Sequence, residues 1–178
     1  MNKSFHNLLI HSLQDMYDAE KQILKALPNM EEAATSKRLK QSFREHKIQT
    51  EDHVKRLEQI AKDIDCKLTG VPCVGMLGLI KEGEEIIKME LDADVKDAAL
   101  IVAAQKVEHY EIVAYASMIT HAKLMDHMNV VEALKGTLSE EKATDESLNI
   151  LAQSMINAKA ADVSNGSKMS EHAFHGGM

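Results

Sequence analysis

The sequence has no Trp and only three Tyr and three Phe, so aromatic residues make up 3% of its 178 positions. Sheets favour aromatic and β-branched side chains, and such a scarcity beside abundant Ala, Leu, Met, Glu and Lys argues for helices. With two Pro in the whole chain, few positions force a helix to stop. Basic residues are the minority: 21 Lys and Arg face 28 Asp and Glu, a formal charge of −7. That balance excludes an electrostatic nucleic-acid binder, which carries a basic face. No run approaches the roughly 18 consecutive apolar residues of a membrane span. The first residues, MNKSFHNLLIHSLQDMYDAEKQ, contain no apolar stretch bounded by a small-residue cleavage site, so a soluble, cytoplasmic protein is expected. The two cysteines, Cys66 and Cys73, are too few for a disulfide scaffold. They share one connecting segment, where a disulfide is conceivable and two thiols are the commoner outcome; no third ligand lies nearby for zinc.

What is present is a set of apolar seams. Hydrophobic residues are 44% of the chain, enough for one domain with a full core. Ser4 can cap a first helix to about Leu27, with the seam Leu9, Leu13, Met16, Glu20, Ile23, Leu27 in steps of three and four. Pro28 suits a first helical turn, which predicts a short continuation over 29–34 before the chain reverses. Thr35 or Ser36 offers the N-cap of a second helix ending near Ile64, with the seam Leu39, Phe43, His46, Thr50, His53, Leu57, Ile60, Ile64. Gly70 and Pro72 punctuate a long connection, and a shorter helix is expected over Leu77–Leu91. Asp92 or Asp94 begins a helix to about Leu124, with the seam Ile101, Ala104, Glu108, Glu111, Tyr115, Met118, Ala122. A turn near 125–129 leads to a last helix to about Ala161, with the seam Val131, Leu134, Leu138, Glu141, Asp145, Leu148, Ala152, Met155. The expected fold is all-α: a four-helix bundle over residues 1–162, two antiparallel hairpins joined by a long crossover with its own short helix. Residues 163–178, Gly/Ser/His-containing, are expected to be a flexible tail in which His172 and His175 are solvated.

Each seam has apolar ends and a polar middle. Residues equidistant from the turn of an antiparallel pair lie at one level. Glu111 and Glu141 centre on position 126, Glu108 and Asp145 nearly so, and Glu20 and His46 on position 33, each inside an expected reversal. The polar residues therefore share one depth inside the bundle. Five acids there (Glu20, Glu108, Glu111, Glu141, Asp145) face two imidazoles (His46, His53), and no Lys or Arg sits on the seams. An unpaired buried ion costs several kcal/mol, a large part of a domain's stability. Two divalent cations would compensate four charges with both histidines as neutral ligands; the mixed donors suit iron or manganese, and zinc is also compatible. The competing arrangement turns the third long helix so that Val107 and Val113 face inward and Glu108 and Glu111 face water, or leaves the acids protonated. Gln49 stands within reach of the same space. His109 points about 100° from its acidic neighbours, Tyr115 borders the layer, and Tyr17 and Tyr110 read as packing.

The segments LQDMYDAEKQILKALPNM, FREHKIQTEDHVKRLEQI, DAALIVAAQKVEHYEIVAYASM and LSEEKATDESL resemble the YciE/YciF stress-induced proteins of bacteria over about residues 4–155. That resemblance implies a ferritin-like four-helix bundle, a homodimer and a dinuclear metal site. Its motifs map onto Glu20 in the first helix, Glu108 and Glu111 in the third, and Glu141 in the fourth. The chain departs from the family's His-x-x-Glu-Thr on the second helix, with Gln49 in place of the Glu. It also lacks the Glu-x-x-His pairs of ferritin-like di-iron proteins. The function these readings imply is a di-metal oxidoreductase acting on peroxide or O₂, an iron buffer, or a helical interaction protein without catalysis.

Overall fold

The computed structural model describes residues 5–162, whose regular structure is helical throughout. The helices are α1 (Phe5–Ala33), α2 (Lys37–Asp63), α3 (Val74–Lys88), α4 (Ala93–Leu124) and α5 (Met128–Leu151), the last continuing through a π-helical turn, Ala152–Ile156, and on to residue 162. Ser4 and the expected tail, with His172 and His175, lie outside the described residues.

α1 does not stop at Leu27. It runs unbroken through Pro28, which is exposed and costs the helix one backbone hydrogen bond that 29 residues of packed helix can absorb. The chain reverses over 34–36, and Ser36 caps α2 by accepting from the Leu39 amide at 3.4 Å. The reversal is clamped from α4: the buried Asp97 accepts from the Thr35 amide, the Thr35 hydroxyl and the Ser36 amide, each at 2.7 Å. These bonds satisfy orphan donors at a helix start and tie the first hairpin to the second.

α1 packs on α2 and α4 on α5, with α1 against α4 and α2 against α5, so the four long helices form a square in which every neighbour is antiparallel. The α2–α5 register shows in Gln49 with Thr144, His53 with Glu140, and Arg56 with Thr137. α3 carries the crossover across one side of the square, against α1 and α4. It starts three residues earlier than expected, at Val74. Gly75 is needed there, because a Cβ would come within 2.8 Å of the Tyr110 ring on α4.

The expected seams of α1 and α4 are buried throughout, and that of α2 all but its last member, Ile64. On α5 the seam drifts: Leu138 and Asp145 are half-buried, and Thr137 is buried in their place. The π-helical turn then advances the seam by a residue, so that Ile156 rather than Met155 faces the core. Cys66 and Cys73 are both free thiols, and Tyr110 packs with its hydroxyl 3.1 Å from Cys73 Sγ.

Candidate metal centre

Midway along the bundle the aliphatic packing gives way to Glu20 from α1, His46, Thr50 and His53 from α2, Glu108, Glu111 and Tyr115 from α4, and Glu141 from α5, all buried. Leu9, Leu13 and Met16 close one end of this layer, and Ile23, Leu27 and Leu39 belong to the core toward the other. The rotated alternative is excluded: Glu108 and Glu111 are 1% and 0% exposed, whereas Val113 is 66% exposed.

The donors form two groups. His46, Glu108, Glu111 and Glu141 each present an atom within 4.8 Å of the others, and so do Glu20, His53 and Glu141. Glu141 belongs to both. Within the first group His46 Nε2 lies 3.3 Å from Glu108 Oε1. Within the second, His53 Nδ1 lies 3.0 Å from Glu141 Oε1 and 3.4 Å from Glu20 Oε1. Tyr115 donates its hydroxyl to Glu20.

This partnering corrects one expectation from sequence. Glu20 meets His53, and His46 meets Glu108. The contacts Tyr17–Glu58 and Glu31–Arg44 both centre on the Lys37–Arg38 step, about a helical turn beyond the predicted centre at 33. In the second hairpin the predicted level holds, with Glu108, Glu111 and Glu141 in one group.

The electrostatics of the layer are those of a site short of positive charge. Burial pushes the Glu108 carboxyl well above the usual carboxylate range, and the charge of Glu141 adds to it. Glu111 is likewise raised, by burial and by Glu141, Glu20 and Glu108. Glu20 is raised by burial, against the pull of His53. Burial lowers the His46 pKa and favours the neutral, ligating imidazole. For His53 burial works the same way, but contacts with Glu141 and Glu20 outweigh it and hold the pKa at about 10.

His53 is also fixed from behind, by residues that sequence reasoning did not single out. Its Nε2–H donates to Glu140 at 2.9 Å, and Arg56 holds Glu140 at 2.8 Å while donating to Thr137. The Arg56 guanidinium keeps Glu140 below the usual carboxylate range, so it stays a charged acceptor. With Nε2 committed, Nδ1 is the nitrogen presented to the acids, the arrangement in which a carboxylate orients a ligating histidine. The signal in the sequence was slight: a second Glu beside Glu141, and an Arg three residues after His53.

A test of fit to a cation comes from the polar atoms left over. Among the described residues, eleven buried side-chain nitrogens and oxygens lack a hydrogen-bond partner, and nine belong to Glu20, His46, His53, Glu108, Glu111 and Glu141. Buried polar atoms are normally satisfied, so a concentration of carboxylate oxygens and imidazole nitrogens at one point fits cation ligands. These groups could hold a metal ion.

Comparison with known proteins agrees in fold. Residues 4–161 match the family described as a domain of unknown function, DUF892. The chain belongs to this family. It is 41% identical to protein YciF of Escherichia coli K12 over 159 residues, spanning 89% of this chain and 96% of that one. The crystal structure of the E. coli stress protein YciF superposes with a TM-score of 0.85 at 40% identity, covering 88% of this chain and 99% of the other. YcfI of Rhodopseudomonas palustris gives 0.80 at 42% identity, over 83% and 94%. A Xanthomonas campestris protein at 15% identity, with a TM-score of 0.72 over 90% and 99%, shares the fold alone. The ferritin-like helical bundle of this DUF892 chain is thus that of its relatives.

The remaining residues singled out from the DUF892 sequence lie outside the two donor groups. Asp145 is half-buried, accepting from Gln105 at 3.0 Å and lying 3.3 Å from the exposed His109. Gln49 turns its carbonyl to the Thr144 hydroxyl at 3.3 Å.

Proposed function

We propose that this chain is a stress-response metalloprotein whose bundle core binds two divalent cations, iron or manganese, with Glu141 shared between them. The observation that carries this reading is the set of nine buried atoms without a hydrogen bond that converge from four helices. His46, Glu108, Glu111 and Glu141 would hold one ion, and Glu20, His53 and Glu141 the other. Two such ions, when bound, supply one-electron chemistry toward dioxygen or peroxide. The chain's own part is positional. Glu140 and Arg56 keep His53 Nδ1 turned inward, Tyr115 steadies Glu20 through its hydroxyl, and the aliphatic layers above and below exclude water.

The test is elemental analysis of untagged protein loaded anaerobically with Fe(II) or Mn(II). Two ions per chain in the wild type and at most one in Glu141→Ala are expected; a wild type that retains none after desalting refutes the reading.

A second reading, bound metal without turnover or a metal-free interaction protein, is favoured by Gln49, which takes a carboxylate away from the layer and spends its carbonyl on Thr144. It is separated from the first by whether Fe(II)-loaded protein consumes dioxygen or peroxide faster than Fe(II) in buffer.

We further propose a homodimer in the cytoplasm. The outward face of α4 carries Val102 and Val113, both more than half exposed, with the exposed Lys106 and His109 between them. Two free thiols suit a reducing compartment, and among the described residues no helix is long and apolar enough to cross a membrane.

A further inference from the structure

Two cavities of opposite character reach His46. One lies under the crossover helix α3, between α1, α2 and α4. Its walls are chiefly aliphatic and aromatic, from Ile23, Leu27, Phe43, Ile80, Ile87 and Val107, and His46 and Glu108 stand at its inner end. Its rim holds Asn29 and Glu84, both exposed. Its volume is about 60 Å³. The other is a groove between α2 and α5, of about 130 Å³, which adjoins the first at Ser42, His46, Thr144 and Leu148 and is distinguished from it by Glu45, Gln49 and Ser147.

A cation approaching through the first cavity would shed its water among hydrocarbon walls, at a cost of several kcal/mol. In the groove it meets hydroxyls, an amide and the Glu45 carboxylate. The first cavity instead suits an uncharged molecule. It exceeds the roughly 10–15 Å³ that one water needs, yet falls well short of the roughly 150 Å³ apolar cavity that admits benzene. Polar groups are confined to the rim, the His46 and Glu108 end and the side bordered by Ser42 and Thr144, so among the aliphatic walls toward α3 a water would find too few of the two to four partners it requires, and that part of the space favours apolar occupants. The imidazole at its end is 4% exposed with neither nitrogen hydrogen-bonded, Nε2 lying 3.3 Å from Glu108 Oε1.

We infer that the cavity under α3 is a holding site for a small apolar gas of the dioxygen class beside His46 and Glu108, and that the adjoining α2–α5 groove, with Glu45 at its side, is the passage for cations. This rests on the metal reading only for what the gas would meet; the cavity itself can be tested on metal-free protein.

Crystals of the metal-free full chain pressurised with xenon should show a xenon atom between Ile80, Val107 and His46 and none in the groove. Gly83, where a new Cβ would meet only the flexible end of Met30 at 3.7 Å, lines the cavity. Gly83→Leu should fill it and abolish the xenon peak, and Ala103→Leu serves as a second plug should the first fail to fold. Cobalt(II) uptake, followed by its visible absorbance, should keep its wild-type rate in both plugs. In Glu45→Lys uptake should slow about tenfold or more at low salt, with xenon unaffected. No xenon in the wild type, xenon retained in a folded plug, or cobalt uptake slowed equally by plug and Glu45→Lys would overturn the inference. Xenon as expected with no cobalt bound at all would uphold the gas site and sink the metal reading instead.

Discussion

Glu111→Gln should stabilise the metal-free protein, and by an amount that grows with pH. The Glu111 carboxyl is fully buried and neither of its oxygens has a hydrogen-bond partner. Because burial and the charges of Glu141, Glu20 and Glu108 hold its pKa well above the ordinary value, the native protein keeps a proton that the unfolded chain releases. The stability this group contributes is complete below the unfolded-state value of about 4.3 and falls as pH rises toward the folded one. The fall is about 1.4 kcal/mol per pH unit for one retained proton. A glutamine has the same shape and no such slope. Between pH 5.5 and 7 the variant should therefore gain on the wild type, by up to about 2 kcal/mol where the native carboxyl keeps its proton throughout, or up to roughly 4–8 °C in Tm for a chain of this size. The assay is thermal unfolding by circular dichroism in excess EDTA at the two pH values. Manganese should reverse the order: free metal at 100 times the dissociation constant adds about 2.7 kcal/mol to a protein that binds it, and Glu111→Gln loses a donor. A Tm difference in EDTA that stays flat with pH, or a variant that melts lower at pH 7, would refute the reasoning, because Glu111 would then be ionised and satisfied.

His53 gives the opposite prediction for its own charge. Its pKa is raised to about 10, so the stability it contributes as a cation is present below about 6.5 and is lost as pH rises through about 10; His53→Gln should flatten the alkaline limb of the metal-free stability profile. Metal binding at pH 8 should release that proton, read by calorimetry in buffers of different ionisation enthalpy. Glu140→Gln should weaken metal binding by roughly 10–100-fold, the usual effect of removing a ligand's orienting partner, as measured by chelator competition. Gly75→Ala, which drives a Cβ into the Tyr110 ring, should cost about 1–3 kcal/mol. Gly78→Ala, with nothing within 4 Å, should add about 0.5–1 kcal/mol by the entropy argument; denaturant melts compare the two. Asp97→Ala orphans the Thr35 and Ser36 amides and should cost about 2–4 kcal/mol by the same melts.

The bundle was legible in the sequence because three of its four seams are uninterrupted patterns in which every departure from apolar is meaningful. Glu20 between Met16 and Ile23, or Glu108 and Glu111 between Ala104 and Tyr115, can be read as buried from spacing alone. What spacing does not provide is the register between helices, since that depends on where each turn falls. The first hairpin was centred on position 33, about a turn short of the Lys37–Arg38 step on which its contacts centre, and that error exchanged His46 for His53 as the partner of Glu20. The second hairpin, with an unambiguous turn at 125–127, was placed correctly. Glu140 and Asp97 were missed for related reasons. Glu140 sits on the flank of α5 and acquires meaning only when α2 brings Arg56 and His53 to it. Asp97 reads as a solvated acid near the start of a helix until the reversal at Thr35 docks on it. The drift of the α5 seam that leaves Asp145 half-buried is the accumulated difference between a repeat of 3.5 and a helix of 3.6 residues per turn.

If the layer binds the proposed cations, these positions explain how it would serve with and without them. In the metal-free state the acids need a cation, and His53 supplies one from within: its Nδ1 side faces Glu141 and Glu20. Its Nε2–H is given to Glu140, which Arg56 keeps ionised, and that bond is the same whether Nδ1 carries a proton or faces a metal ion. Exchange of proton for metal therefore requires no rotation of the ring and no rupture of the α2–α5 contact. Glu108 and Glu111, which lack such a partner, retain protons instead and release them when a divalent charge arrives. The layer is preorganised because its reference state is held by protons at the positions where cations would sit, and the apolar packing on either side carries the stability that this arrangement gives up.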